Sequence, residues 1–291
     1  MVLRKIFDWL VMSDIYASLI ASGIVIITEA VLALQINALA LAAVFFSSLA
    51  IYSLNRRDDG DIDSINVPER TVFVTKNGQA ILAFATVGFF ATLTYAWIFS
   101  TPLFLMMAAG FVLGLLYNFP LLRPLEGILG FSRLKEPLAV KNMLVSALYS
   151  AFVLAAVFAA HAQISDLAMM LVIFIFLRFF IVSTIFDMRD IEGDSKKNIR
   201  TIPVTFGKDN SLIFLNGLNL LTLALGITAA FFYGIPLLFG AMILATFLYA
   251  SYYLEECRKG ADMRYLCSVV VEADFVPALA IALLFIIIHL I

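Results

Sequence analysis

The sequence predicts an all-α fold, a polytopic membrane bundle of about nine transmembrane helices. The 291-residue chain is 63% hydrophobic and 14% charged, whereas soluble domains are about one-half apolar and one-quarter charged. A spanning helix needs about 20 mainly apolar residues, and such runs lie here between clusters of charge. The expected spans are near residues 11–34, 37–54, 78–98, 101–119, 138–160, 166–186, 211–233, 236–254 and 268–290.

The spans fill nearly the whole chain, so we expect a single membrane-embedded domain over residues 1–291. Acidic clusters follow the second and the sixth span. This spacing predicts two four-helix halves, about 11–119 and 138–254, and a ninth helix, about 268–290. The first apolar run is long and lacks a small-residue cleavage signature, so we expect it to remain as a span rather than to be removed as a signal peptide.

The basic residues are sorted by loop. Nearly all Lys and Arg lie in the alternate segments 1–10, 55–77, 120–137, 187–210 and 255–267. By the positive-inside rule, the N-terminus and these polar loops are cytoplasmic, and the C-terminus lies outside. The net charge of −2 says little about partners, because the charges are segregated by membrane side rather than absent, and a nucleic-acid partner is not indicated. Because Cys257 and Cys267 fall in or beside one inside segment, we expect no disulfide framework.

The first acidic cluster closes the second span. If that helix continues past the membrane, Asn55, Asp59 and Asp63 stand at i, i+4 and i+8 and share one face. Carboxylates so placed repel each other unless a cation neutralises them. Magnesium is commonly bound through one or two carboxylates together with substrate phosphates. The alternative for this cluster alone is a solvated acidic loop.

The second acidic cluster closes the sixth span. Asp187, Asp190 and Asp194 stand at i, i+3 and i+7, again on one helical face, and Gly193 lets backbone approach a ligand closely. Two carboxylate faces at the same depth predict two metal ions across one diphosphate. Each nearby basic residue is a candidate for phosphate oxygens or, alternatively, only a charge that sets topology. These residues are Arg70, Lys76, Lys135, Lys141, Arg189 and Arg200.

Both clusters resemble the signatures of the UbiA superfamily of intramembrane prenyltransferases. The first signature, N-D-x-x-D-x-x-x-D-x-x-N-x-P-x-R-P, is matched by Asn55, Asp59, Asp63, Asn66, Pro68 and Arg70. Arg56 stands where Asp is common, and Thr71 where Pro is common. The second signature is matched by Asp187, Asp190, Gly193, Asp194, Thr201 and Pro203, with Asn198 at a usual Gly position. A third element is matched by Tyr117, Pro120, Arg123, Lys135, Lys141 and Asn142.

The resemblance implies a helical bundle around a central cavity that opens sideways to lipid and is capped by two polar cytoplasmic loops. It implies an enzyme that uses Mg²⁺, in two ions, to transfer an isoprenyl group from an allylic isoprenyl diphosphate to a hydrophobic acceptor. The diphosphate ionises, and the acceptor captures the resulting carbocation. The lipid bilayer, the diphosphate donor and the acceptor are the expected partners.

The same resemblance assigns roles to residues. The implied metal ligands are Asn55, Asp59, Asp63, Asp187, Asp190 and Asp194. The implied diphosphate-binding residues are Asn55, Arg70, Lys76, Lys135, Lys141, Asn142 and Arg200. The implied catalytic residues are Asp59, Asp63, Asp190, Asp194 and Tyr117. The ring of Tyr117 would stabilise the cation, and simple packing is the alternative for an aromatic residue in so aromatic a chain.

Two other functions are consistent with a metal-binding polytopic protein. A transporter usually has its site near the midplane on broken helices, whereas these acidic residues lie at one membrane face. A CDP-alcohol phosphatidyltransferase would carry a D-G-x-x-A-R signature, which is missing after Asp59 and Gly60. The acceptor classes that the resemblance allows are aromatic quinone precursors, a porphyrin-type alcohol, glycerol-phosphate lipid precursors and haem, and the residues do not select among them.

A few charges fall inside or at the ends of the spans. Arg178 is the basic residue well inside an apolar run, and it is either functional, part of an ion pair with another helix, or part of the polar lining of the cavity. Glu272 and Asp274 lie at the inside end of the ninth span. They line the cavity mouth or pair with basic loop residues, and Asp14 has the same two alternatives.

Overall fold

The computed structural model describes residues 2–58, 64–196, 199–233 and 236–290, and within these residues it contains helices and no strand. Asp59 and Asp63 lie outside the described residues. The long helices are α1 (Val2–Met12), α2 (Ile15–Val31), α3 (Ala38–Asp58), α4 (Pro68–Phe99), α5 (Thr101–Asn118), α6 (Val140–Ala159), α7 (Asp166–Lys196), α8 (Lys208–Tyr233), α9 (Leu237–Lys259) and α10 (Val276–Leu290). Shorter helical segments cover Arg123–Leu125, Glu126–Leu129, Ile202–Phe206, Met263–Tyr265 and Leu266–Val271.

These helices confirm the all-α membrane bundle. The described residues contain 8 helices long and apolar enough to cross a membrane, or up to 9 if the bent pair α1 and α2 forms one span. Helices that follow one another in the chain pack side by side from α2 to α10, and α10 packs against α2. The bundle therefore closes on itself, and it leaves room for a cavity between its helices at the end where the acidic motifs lie.

The predicted first span, 11–34, is wrong at its beginning. The helix breaks at Asp14, whose φ of 58° is left-handed, and α1 turns away from α2 by 79°. The Asp14 carboxylate accepts hydrogen bonds from the Arg56 guanidinium, with Nε 3.2 Å from Oδ2, so this acid belongs to an ion pair with α3. On α1, Leu3, Ile6 and Trp9 remain exposed.

Three helices continue beyond their predicted spans and carry the motif residues with them. Helix α3 runs on to Asp58, and α7 runs on to Lys196 instead of stopping near 186. Helix α4 begins at Pro68, ten residues before the predicted span, because a proline fits the first turn of a helix. The second acidic cluster is therefore helical, as its spacing predicted.

The last span is present but irregular. The segment Leu266–Val271 is π-helical, and a turn separates it from α10. The hydroxyl of Tyr249 donates to the carbonyl of Val270 at 2.9 Å, and that of Tyr16 donates to the carbonyl of Val269 at 3.4 Å. The predicted ninth span, 268–290, is thus interrupted, and the turn at residues 272–275 carries two acidic side chains inward.

Arg178 forms a buried ion pair with Asp274. Its Nε donates to Oδ2 of Asp274 at 3.0 Å, and its Nη1 donates to Asn219 Oδ1 at 2.7 Å. The hydroxyl of Tyr253 donates to the same carboxylate at 3.0 Å. Arg178 is 0% exposed and does not line the polar cavity, so its role is to join α7 to the interrupted span. Asp274 pairs with Arg178 rather than with a basic loop residue.

Candidate active site

A polar cavity opens between the helices that carry the acidic motifs. Its walls combine charged and aromatic side chains with a few aliphatic ones. The lining residues are Tyr52, Asn55 and Arg56 of α3, Tyr117 of α5, Lys135, Lys141, Val145 and Tyr149 of α6 and the segment before it, Phe179, Val182, Ser183, Phe186, Asp187, Arg189, Asp190 and Asp194 of α7, and Ile199 and Glu272. A second, apolar cavity lies beside it between α3, α4, α5 and α6.

The second acidic motif forms one wall of this cavity. Asp187 and Asp194 are 0% and 2% exposed, and Asp190 lines the cavity between them. The Nζ atom of Lys141 lies 2.7 Å from Oδ1 of Asp187 and 3.6 Å from Oδ2 of Asp194. Asn142 donates from Nδ2 to the other oxygen of Asp187 at 2.8 Å. The Lys-Asn pair at the start of α6 therefore holds the carboxylates of α7.

Asp190 has a cationic partner of its own. The guanidinium of Arg189 binds it in bidentate fashion, with Nε 2.7 Å from Oδ1 and Nη2 2.7 Å from Oδ2. Such paired hydrogen bonds are the geometry in which arginine binds carboxylates and phosphates most strongly. Arg189 also lies over the ring of Phe186, 5.0 Å from its centroid. Every carboxylate of the second motif is thus neutralised by a cation.

The two acidic motifs meet in space. The backbone N–H of Gly193 donates to Asn66 Oδ1 at 3.2 Å. A Cβ atom at residue 193 would lie 2.6 Å from Asn66 Nδ2, which explains the glycine at this position. Asn55, the first residue of the first motif, lines the cavity opposite the aspartates of α7. Among the described residues, Asn55 of the first motif and the aspartates of the second therefore line one cavity.

Some of the residues with predicted substrate roles line the cavity and others do not. Lys135 and Tyr117 line the cavity, with the Lys135 ammonium 5.8 Å from the centroid of the tyrosine ring. Asn142 and Arg70 are buried and are not among the lining residues. Lys76 and Arg200 are exposed and are not among the lining residues. The structure thus brings Lys135, Lys141 and Asn55 to the cavity and leaves the other four predicted diphosphate ligands outside its walls.

Sequence reasoning missed several lining residues. Tyr52 and Tyr149 form a hydrogen bond between their hydroxyl groups across α3 and α6, and the ring of Tyr149 stacks on Phe179 with 3.6 Å between centroids. Tyr52 precedes Asn55 by three residues, so it shares a helical face with the first motif. That spacing could have identified it, but with 10 Tyr and 27 Phe in the chain one aromatic position carries little signal.

The oxygen-rich lining fits a hard divalent cation such as magnesium. The buried Oδ1 of Asn55 has no hydrogen-bond partner among the described residues, and Asn55 lines the same cavity as the aspartates. The lysine and arginine cations against that wall show that the cluster requires positive charge. Within the described residues no three His, Cys, Asp or Glu side chains converge as a metal site. A complete ligand set would draw on both motifs.

Solved structures share this fold. The apo structure of a UbiA homolog from Aeropyrum pernix K1 matches 95% of this chain and 98% of its own, at 17% identity and a TM-score of 0.66. A UbiA homolog from Archaeoglobus fulgidus bound to DMAPP and Mg²⁺ matches 96% and 98%, at 15% identity and a TM-score of 0.67. A digeranylgeranylglyceryl phosphate synthase matches 98% of each chain, at 18% identity and a TM-score of 0.60.

Sequence comparison agrees with the structural likeness. No curated protein sequence matches the chain. The model of the UbiA prenyltransferase family, however, matches residues 16–269, which includes both acidic motifs and most of the bundle. The cavity, the two motifs that meet in it and this match have one consistent explanation: the chain is a multi-pass membrane enzyme, a prenyltransferase that belongs to the UbiA prenyltransferase family.

Proposed function

We propose that the chain transfers an isoprenyl group from an allylic isoprenyl diphosphate to a hydrophobic acceptor in a magnesium-dependent reaction. The observation that carries the proposal is the wall of three aspartates on α7, which faces Asn55 and basic side chains inside an apolar bundle. The UbiA homolog from Archaeoglobus fulgidus was solved bound to DMAPP with Mg²⁺ and to GPP with Mg²⁺. Family membership removes the transporter and phosphatidyltransferase alternatives as candidates.

Magnesium, in two ions, is the proposed metal. We assign Asn55, Asp59 and Asp63 to one ion and Asp187, Asp190 and Asp194 to the other. When bound, magnesium supplies positive charge to the diphosphate oxygens and so makes diphosphate a better leaving group. Lys141 and Arg189 hold the aspartates in this structure. They must therefore move away from the carboxylates before magnesium binds.

Lys141 and Arg189 therefore have a second proposed role. Displaced from the carboxylates, their cations remain beside the diphosphate and stabilise the charge that grows as the bond from C1 to oxygen breaks. Lys135, which also lines the cavity, acts in the same way. For Arg70, Lys76, Asn142 and Arg200 a direct role in diphosphate binding stays a prediction, because none of them lines the cavity.

The bundle protects the carbocation from water. The bond electrons leave with the diphosphate, and C1 becomes an allylic cation that any nearby water would capture. The apolar cavity between α3, α4, α5 and α6 suits the isoprenyl chain, and the ring of Tyr117 faces the reaction space. We place this site on the cytoplasmic side, since the Lys- and Arg-rich loops lie at the same end of the bundle.

The test is transfer by the purified full-length protein. Radiolabelled geranyl diphosphate is supplied with each acceptor class in turn: an aromatic quinone precursor, a porphyrin-type alcohol, a glycerol-phosphate lipid precursor and haem. We expect label to move into one acceptor with Mg²⁺ present and none to move with EDTA. Transfer at an equal rate in EDTA would contradict the metal assignment. Absence of both donor binding and transfer would contradict the function.

A further inference from the structure

One of the acidic side chains that line the cavity has no hydrogen-bond or ion-pair partner among the described residues. Among the described residues, the acids that line the cavity are Asp187, Asp190, Asp194 and Glu272. The three aspartates each have a lysine or arginine nitrogen nearby. Glu272 is partly exposed to the cavity and forms no hydrogen bond or ion pair with any residue that the structure describes. An unpaired carboxylate inside a membrane bundle is energetically costly, so such a residue is a candidate for a functional role.

The fold holds Glu272 in place on both sides. Before it, the π-helical segment is fixed by the hydroxyls of Tyr16 and Tyr249, and the N–H of Glu272 donates to the carbonyl of Cys267 at 3.2 Å. After it, Asp274 is bound by Arg178. Short π-helical segments interrupt a regular helix at some cost and occur often at functional sites. Here the interruption turns Glu272 toward the cavity.

The surroundings of Glu272 suit an organic substrate. It shares the cavity with the hydroxyl pair of Tyr52 and Tyr149 and acts electrostatically on both. Phe179 stacks on Tyr149 from one side and on Phe275, with 5.1 Å between centroids, from the other. Aromatic faces and two hydroxyls thus border the carboxylate.

Charged groups around Glu272 act from a distance. Its charge is repelled by Asp14 and attracted by Arg70, Arg56 and Arg189. Arg56 is paired with Asp14, and Arg189 with Asp190. None of these guanidiniums forms an ion pair with Glu272, so its oxygens remain available to a substrate.

The proposed transfer requires a group that accepts a proton. The aspartates are poorly suited to this role, because they are paired with cations. Building on the proposed function, we propose that Glu272 accepts the proton of the prenyl acceptor. The bond from C1 to the bridging oxygen breaks first, its electrons leave with the diphosphate, and the nucleophilic atom of the acceptor then forms a bond to the C1 cation. The hydrogen of the acceptor leaves as a proton and binds a carboxylate oxygen of Glu272, which then releases it to water.

The test separates bond cleavage from proton removal. Geranyl diphosphate labelled with ¹⁸O at the bridging position reports cleavage of the bond between C1 and oxygen, because the label scrambles when ionisation reverses. Transfer is measured as geranyl label in products formed with the total organic extract of the native cells as acceptor pool. Both assays use full-length wild-type protein, Glu272→Gln and Glu29→Gln. Glu29 is a matched control, since it is buried in α2 but does not line the cavity.

We expect Glu272→Gln to lower transfer by about 100-fold or more, the usual contribution of a general base, while ¹⁸O scrambling stays within about threefold of wild type. Glu29→Gln should leave both rates nearly unchanged. Equal loss of scrambling and transfer would overturn the proposal, because Glu272 would then act on donor ionisation or on folding. Transfer by Glu272→Gln at the wild-type rate would overturn it as well.

Chemical rescue provides the second readout. Glu272→Ala leaves space for a small carboxylate, so added formate should restore transfer by about tenfold or more if a base is needed there. A purely structural role for Glu272 predicts no rescue, and that result would overturn the proposal. The proposed function fails separately, through absence of magnesium-dependent scrambling and transfer in the wild-type protein.

Discussion

Lys141 and Asp187 form an ion pair between α6 and α7, with 2.7 Å between Nζ and Oδ1. The carboxylate is 0% exposed and the lysine side chain 22% exposed. The same ammonium also lies 3.6 Å from Asp194. A single lysine therefore neutralises two of the residues that we assign to magnesium, and ion pair and metal site are alternative states of one cluster.

Replacement of Lys141 exposes this competition. In Lys141→Gln two buried carboxylates lose their cation, and breaking such a pair costs about 3 kcal/mol. We expect a lower melting temperature in EDTA and a larger increase on addition of Mg²⁺ than in wild type. Thermal unfolding in detergent measures both, with the exposed Lys196→Gln as control. A variant that Mg²⁺ stabilises no more than wild type would exclude Asp187 and Asp194 as metal ligands.

Asp190 tests the metal assignment by activity. Asp190→Asn keeps the size of the side chain but removes its charge, so we expect transfer from geranyl diphosphate to fall by about 100-fold. Glu192→Gln, on the same helix but on its surface and paired with the exposed Lys196, should retain wild-type activity. Full turnover by a folded Asp190→Asn variant would remove this residue from the site.

The ring of Tyr117 can be tested apart from its hydroxyl. Tyr117→Phe keeps the aromatic face and its contact with Lys135, so we expect transfer within about threefold of wild type. Tyr117→Leu loses the face, and a cation–π contribution of about 1 kcal/mol or more predicts a loss of roughly tenfold. The measurement is the single-turnover rate of prenyl transfer by each variant. Equal rates in the two variants would show that the ring face has no catalytic role.

The ion pair of Arg178 and Asp274 should contribute to the free energy of unfolding. Arg178→Leu or Asp274→Leu alone leaves a buried charge without its partner, at a cost of about 3–5 kcal/mol. The double variant should lose less than the sum of the two, because neither charge remains. Equilibrium unfolding of all four proteins in mixed micelles gives the coupling energy. Strict additivity would mean that the two charges do not stabilise each other.

Orientation can be measured by cysteine labelling. Cys257 and Cys267 are buried, so an added surface cysteine is the main target of a membrane-impermeant maleimide. We expect His161→Cys, between α6 and α7, to be labelled in intact cells, and Glu126→Cys only after permeabilisation. Both positions are exposed. The reverse pattern would place the active site on the outer side.

The sequence was sufficient to predict most of the helices and the helical face that the aspartates of the second motif share. Apolar runs define spans, and the spacing of Asp187, Asp190 and Asp194 places them on one face, because both properties depend only on local helical geometry. The sorting of charges and the positions of the acidic residues then predicted that the two motifs lie at one end of the bundle. The contact between Asn66 and Gly193 agrees with this reading.

The contacts between helices could not be predicted in the same way. Tyr52 and Tyr149 are 97 residues apart, and Arg178 and Asp274 are 96 residues apart, so their pairing depends on which helices are neighbours. The break at Asp14 and the π-helical segment before Glu272 are held by tertiary hydrogen bonds. Neither has a Gly or Pro to mark it in the sequence. These features decide which acids face the cavity.

The bend before α2 has a consequence for how substrates reach the site. Amphipathic helices with exposed apolar residues settle at the boundary between headgroups and acyl chains, and α1 exposes Leu3, Ile6 and Trp9. The ion pair of Asp14 and Arg56 ties the end of this helix to the cavity wall. We therefore expect the mouth of the cavity to lie at headgroup level, where the proposed donor can keep its diphosphate hydrated until it binds while its hydrocarbon tail stays in the lipid.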